Sequence, residues 1–142
     1  MKFAPLVLLA FLLVDVAGAQ SGVCLVNPTI HEPPVATSRY GMWRTGRAHE
    51  GLDLRSRGGE KLLAAAAGEV VYVGTQTNAG NTVVIKLDNG DYIQYFHMMG
   101  YADKLKEGKW KGQRVEAGEV IGTAGKTTAS SRVAGGFSTV GP

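Results

Sequence analysis

A single cysteine, Cys24, stands in the 142 residues, so no intrachain disulfide can staple the chain and no cysteine-rich zinc site can form from it. Stability has to come from packing or from a metal. Histidine is scarce too: His31, His49 and His97 are the whole supply, which confines imidazole chemistry to three positions. Charge of one sign is not concentrated anywhere. The formal net charge is +3 and the sequence pI is about 9.1, a balance that suits anionic surroundings, yet the lysines and arginines are spread along the chain, and that does not support nucleic-acid binding. After the first fourteen residues no long apolar run occurs, so no later segment reads as a membrane-spanning helix.

The apolar run that does exist lies at the start. Met1 and Lys2 lead into Phe3 to Val14, then Ala17, Gly18 and Ala19 precede the polar Gln20. This is the charged n-region, apolar h-region and A-x-A site of a secretory signal peptide. Its core is too short to cross a ~30 Å hydrocarbon layer as a helix. The expectation is cleavage after Ala19, a product without stable membrane insertion, and a secreted, periplasmic or cell-envelope location. Residues 20–39 contain Asn27-Pro28 and Glu32-Pro33-Pro34 with little periodicity, which predicts an extended lead-in. His31 falls there with no partner at chelating spacing and reads as a solvated loop histidine.

From Tyr40 to Pro142 the chain reads as one domain. Glycine, with 20 residues, suits turns rather than helices, and Val70 to Val73, Thr82 to Leu87 and Tyr92 to Met98 are rich in β-branched or aromatic residues. Asp88-Asn89-Gly90-Asp91 sits between two of these runs and predicts a tight antiparallel hairpin. Asp103 to Gln113 is charged and punctuated by glycine, so a surface loop bearing an exposed or partly packed Trp110 is expected. Ala67-Gly68-Glu69-Val70-Val71 recurs as Ala117-Gly118-Glu119-Val120-Ile121, fifty residues on. The repeat predicts two related strand-turn units facing each other. The fold class that follows is all-β: two short antiparallel sheets, a duplicated β-sandwich with long surface loops.

The chemistry-bearing segment is His49-Glu50-Gly51-Leu52-Asp53-Leu54. On a strand, positions 49, 51 and 53 share one face while Leu52 and Leu54 point to the core. Gly51 would then leave room between an imidazole and a carboxylate, both of which are zinc donors. By spacing alone a surface hydrogen-bonded pair is the simpler reading. Glu50, on the other strand face, reads as a solvated carboxylate. Tyr95-Phe96-His97-Met98 ends the hairpin, and strict alternation sets His97 on the face of Ile93 and Tyr95, where a satisfied half-buried histidine is the simpler reading.

Taken in order, Arg47 to Asp53, Ala66 to Val71, Gly80 to Ile85, Tyr95 to Met98 and Val115 to Gly125 resemble the lysostaphin-type murein metallopeptidases over roughly Tyr40 to Gly125. The resemblance implies a zinc endopeptidase acting on peptide stems or cross-bridges of peptidoglycan. It implies that His49 and Asp53 of the family's HxxxD motif bind Zn2+ and that His97 of the tyrosine-x-histidine motif assists catalysis. In that family a Gly-Pro pair precedes an HxH motif that supplies a further catalytic histidine and the third zinc ligand. Here Gly141-Pro142 is the last pair and no histidine follows His97. The expectation is a chain that stops just before HxH, with impaired activity as it stands.

Two other classes stay open. A non-catalytic module that docks on the cell wall or on other hydrolases fits the missing HxH, although the intact His49, Asp53 and His97 speak for an enzyme. A biotinyl or lipoyl carrier would explain the repeat, but it needs a modifiable lysine at a hairpin tip, and neither Lys86 nor Lys126 is placed there.

Overall fold

The computed structural model describes residues 22–106, 108, 110–125 and, for the backbone, 135–140. The signal-peptide reading, Lys126 and the Gly141-Pro142 pair lie outside them. Twelve strands follow in order: β1 Ala36–Ser38, β2 Trp43–Arg44, β3 Arg47–Ala48, β4 Leu52–Leu54, β5 Lys61–Leu63, β6 Gly68–Gln76, β7 Gly80–Leu87, β8 Tyr92–Met98, β9 Gly100–Tyr101, β10 Arg114–Val115, β11 Val120–Thr123 and β12 Gly135–Val140. The all-β class holds. The sheets are unequal: seven strands run β1-β4-β12-β8-β7-β6-β10, three run β5-β11-β9, and β2-β3 form a separate hairpin.

The hairpin expected at Asp88–Asp91 is present, with Lys86 opposite Tyr92 and Ile85 opposite Ile93. Its loop closes locally. Gly90 takes a φ of 93°, an angle that side chains resist, and Asn89 Oδ1 accepts the Asp91 N–H at 3.1 Å, the short side-chain turn that suits Asn in loops. Arg114 grips Asp88 with two hydrogen bonds of 2.9 and 2.7 Å, tying the hairpin tip to β10.

The repeat has a structural meaning. Just before the second copy, Arg114 and Val115 pair with Glu69 and Gly68 of the first. Just before the first copy, Ala64 exchanges two backbone hydrogen bonds with Gly118 and Glu119 of the second, each of 2.8 Å. Each copy therefore opens against the strand that leads into the other. The two copies end in different sheets, β6 in the large and β11 in the small, and the core fills the space between with Val70, Val83, Ile85, Ile93, Tyr95, Met98, Val115 and Ile121. A Cβ on Gly122 would overlap the Gly100 carbonyl, so glycine is what lets β11 lie this close to β9.

Three details depart from the sequence reading. β1 rises within the extended lead-in and adds to β4, so part of that segment is sheet. Leu105, in the charged 103–113 loop, is completely buried, because a 3-10 turn at Asp103–Leu105 tucks it into the core. Trp110 is half-buried as expected and lies 6.5 Å from the Tyr72 ring. His31 lies in a loop and is partly exposed, but it is not without a partner: its Nε2 stands 2.9 Å from Glu60 Oε2. That carboxylate also accepts from the Arg57 N–H at 2.7 Å and from Ser56 Oγ at 3.0 Å. The Arg57 backbone bond, helped by His31 and Ser56, holds the Glu60 carboxyl below its ordinary pKa.

Candidate metal and catalytic site

Asp53 is central. It is buried in the middle of β4, and an unpaired buried carboxylate would be strongly disfavoured. Two side chains meet it. His49 Nε2 lies 3.4 Å from Oδ1, and Arg44 Nη2 pairs with Oδ2. β4 spans only Leu52–Leu54, so His49 reaches its partner from the turn before the strand, not along a continuous strand face.

What fixes His49 is the small hairpin. Thr45 and Gly46 form its two-residue turn, with Gly46 at a φ of 81° and Arg44 opposite Arg47. The ladder continues past β3: the His49 N–H donates to Met42 O and the Gly41 N–H to His49 O, both at 2.8 Å. The imidazole is then oriented by its other nitrogen, which stands 3.0 Å from the Arg39 carbonyl and 3.2 Å from Ser38 Oγ. A carbonyl only accepts, so Nδ1 carries the hydrogen in that contact and the Nε2 lone pair faces Asp53. Two acceptors facing each other at 3.4 Å call for a cation, either a proton on Nε2 or a metal ion. An imidazole whose second N–H is held by a backbone carbonyl is the usual arrangement of a zinc-ligating histidine.

The fit to zinc is thus good in donor chemistry and short in number. A catalytic zinc takes three protein ligands, and among the described residues no three His, Cys, Asp or Glu side chains stand close enough to hold one ion.

His97 lies two strands away. Asp53 is in register with Gly136, and Gly136 with Phe96, so the three form one row across β4, β12 and β8. At ~4.8 Å per strand, that row sets Phe96 about 10 Å from Asp53. Alternation fails at this point. β8 carries an extra residue, since Asn81 faces Met98 while Val83 faces Tyr95, and His97 has a φ of 58° with its N–H bonded to Ala79 O at 2.7 Å. Ile93, Tyr95 and Met98 are buried, whereas Phe96 and His97 are both half-buried, their rings 6.4 Å apart and edge to face. His97 therefore does not share the face of Ile93 and Tyr95, and a β-bulge is the reason. Such bulges re-aim a side chain at the cost of one ladder bond. The same row contains no side chain between Asp53 and Phe96, because its central residue is glycine.

Several contributors went unseen in the sequence. Arg44 and Ser38 act through a hairpin and a strand pairing that bring them to Asp53 and His49. The only local sign was Thr45-Gly46 between two short polar-apolar pairs. Tyr95 is a support: its buried hydroxyl accepts the Ala65 N–H at 2.7 Å, and burial pushes its phenol well above its ordinary pKa. Glu50 is exposed, 4.0 Å from Arg47. Tyr40, shortly before the hairpin, and Trp43, on β2, are each 77% exposed.

The all-β fold of antiparallel sheets is the class of domain found in the lysostaphin-type peptidases. The catalytic domain of the antimicrobial peptidase lysostaphin from Staphylococcus simulans superposes with a TM-score of 0.64 at 25% identity, covering 75% of this chain and 79% of that one. The profile of peptidase family M23 matches residues 47–137, and the chain belongs to that family. Among curated proteins it is similar to the cell division protein DipM of Caulobacter vibrioides, 34% identical over 63% of this chain and 14% of that one. It is also similar to the DD-carboxypeptidase/endopeptidase Mpg of Neisseria meningitidis, 31% identical over 69% of this chain and 21% of that one. The chain thus spans less than a quarter of the length of either protein.

Proposed function

We propose that the chain is the metal-binding part of an exported zinc endopeptidase that cleaves peptide stems or cross-bridges of bacterial peptidoglycan. The observation that carries this reading is the orientation of His49, whose Nδ1 is held by the Arg39 carbonyl while Nε2 faces a buried carboxylate. In this reading His49 and Asp53 are zinc ligands and His97 is the catalytic histidine. When bound, zinc supplies Lewis acidity toward a peptide carbonyl and acidifies water toward neutral pH.

The chain's own residues do the rest. His97, turned out of the core by its bulge, would hydrogen-bond the attacking water or the oxyanion, a task suited to imidazole near neutral pH. Exposed Tyr40 and Trp43 offer one wall against which an extended peptide can lie. Residues 1–19 serve as the export signal and 40–142 form the peptidase domain. Among the described residues no helix is long and apolar enough to cross a membrane. Among the described residues the metal would find two donors here, His49 and Asp53, and two donors hold zinc weakly.

Zinc titration of the full chain tests the site. His49→Ala and Asp53→Ala should each weaken binding, while His31→Ala, whose partner is Glu60, should leave it unchanged. Equal losses at all three positions would overturn the assignment. The rival reading, a non-catalytic wall-binding module, predicts sedimentation with purified cell walls that does not depend on His49 or Asp53.

A further inference from the structure

Four side chains close a ring around the donor pair. Arg44 Nη2 donates to Asp53 Oδ2 and, at 2.8 Å, to Ser38 Oγ; Ser38 Oγ stands 3.2 Å from His49 Nδ1; and His49 Nε2 returns to Asp53 Oδ1 at 3.4 Å. Ser38 is itself placed by backbone pairing, opposite Asp53 across β1 and β4. Within this ring the Asp53 carboxylate is already neutralised by a guanidinium. A divalent ion that uses Asp53 as a ligand would have a fixed positive charge on the same carboxylate.

We propose that Arg44 is an exchangeable cation at Asp53: it neutralises the carboxylate from its Oδ2 side in the metal-free protein and is given up as a divalent metal takes the same carboxylate. Three observations support exchange rather than a permanent pair. The Arg44 side chain is 40% exposed whereas that of Asp53 is 10% exposed, so the arginine has solvent to move into and the carboxylate does not. Arg44 ends β2, a two-stranded hairpin separate from the main sheets, so its displacement breaks no core packing. Its neighbour Trp43 is exposed on the same hairpin, where a bound peptide could shift the arginine. Metal occupancy and substrate approach would then be coupled through one side chain. This inference rests on His49 and Asp53 being a metal pair, and the experiment separates the two claims.

The probe is zinc alone, added to the full chain, with the dissociation constant read by competition against a chromophoric chelator and the melting temperature read with and without the metal. Arg44→Gln removes the charge and keeps a polar side chain. It should bind zinc about fivefold more tightly, the loss of one partly exposed competing charge, and should melt lower without metal but gain more on zinc addition, as linkage requires. Arg44→Lys keeps the charge and should stay within about twofold to threefold of the parent, a difference well under 1 kcal/mol. Raised salt should narrow the gap between Arg44→Gln and the parent, because screening weakens the competing ion pair. If Asp53→Ala weakens zinc binding but Arg44→Gln binds no more tightly than the parent, Arg44 does not compete and the inference falls while the metal pair stands. If Arg44→Gln and Arg44→Lys tighten binding equally, shape and not charge is responsible, and the inference again falls. If Asp53→Ala leaves zinc binding unchanged, the metal pair fails and this proposal fails with it.

Discussion

Replacing Gly136 by histidine should create the third zinc ligand within the strand already present. β12 lies between β4 and β8, and Gly136 is opposite Asp53 on one side and Phe96 on the other. Residues directly opposite in an antiparallel pair have Cβ atoms about 4.5–5.5 Å apart and point to the same face. A histidine at 136 would therefore start from the face that Asp53 occupies, next to the carboxylate that His49 already approaches. The magnitude can be bounded: structural zinc contributes about 10–16 kcal/mol through four ligands, so one ligand is worth about 3 kcal/mol, or roughly a hundredfold in affinity. Arg44 is present in parent and variant alike and leaves this ratio unchanged, so a gain of about a hundredfold is the upper bound and about tenfold the least that supports the placement.

The strand itself should tolerate the change, since glycine in a strand interior is less favourable than a residue with a side chain by about 0.5–1 kcal/mol. Chelator competition gives the affinity, and circular dichroism shows whether the β-sheet signal persists. Gly136→Ala is the control for strand stabilisation without a donor. A Gly136→His protein that folds like Gly136→Ala yet binds zinc no more tightly would refute the placement of Gly136 beside Asp53, and with it the register of β12.

Other expectations follow from the same geometry. Tyr95→Phe removes the acceptor of the Ala65 N–H in a buried setting and should cost about 1–3 kcal/mol by denaturant unfolding, with zinc affinity unchanged. Glu60, Asp88 and Glu119 all hold their carboxyls below the ordinary values of about 4, through Arg57 and His31, through Arg114, and through Lys104 with the Glu116 N–H respectively. A lowered folded-state pKa means stability that is complete above the unfolded value and lost as pH falls through the folded one. Acid unfolding should therefore set in below about pH 4.5, and a transition centred near pH 6 would show that other groups control it. Appending His-Leu-His-Phe-Glu after Pro142 should raise zinc affinity and release muropeptide ends from purified walls, with His97→Ala abolishing release but keeping the metal. Because Gly135–Val140 already pairs with β4 and β8, the added segment has to displace that strand, and an extension that changes neither zinc affinity nor β12 pairing would show that it cannot.

Local signals in the chain were legible because local physics decides them. The Asp88–Asp91 turn is closed by its own side chains and by one glycine angle, so its composition sufficed. The His49 and Asp53 spacing pointed to two side chains that do meet, although the connecting backbone is a turn rather than a strand. The recurring Ala-Gly-Glu-Val unit foretold a reciprocal arrangement, although its glycines serve different ends: Gly68 lies against the Lys86 carbonyl, whereas Gly118 is in open space with a φ of 80°. Contributions that depend on distant pairing were not legible. Ser38 reaches His49 only because β1 adds to β4, His31 finds Glu60 across 29 positions, and Leu105 is buried by a 3-10 turn within a charged loop. No short window of sequence contains both partners of such contacts.

His97 shows how an irregularity can be the useful part of a strand. A regular β8 would alternate Ile93, Tyr95 and His97 into the core, where an imidazole would need a buried partner. One extra residue opposite Thr82 lets Met98 take the core position instead, fully buried. His97 is released to the side of Phe96, and its left-handed backbone is held by the bond to Ala79. A non-glycine residue at positive φ costs of order 1–3 kcal/mol and persists only where its surroundings impose it. Here the surroundings are the buried Tyr95 and Met98 on either side, which anchor β8 in the core at both ends of the bulge. The same row carries Asp53 two strands away, so the strain falls at the point of the sheet where the donor pair and His97 share a face. Packing of Tyr95 and Met98 is therefore what sets the distance between the proposed catalytic histidine and the proposed metal ligands.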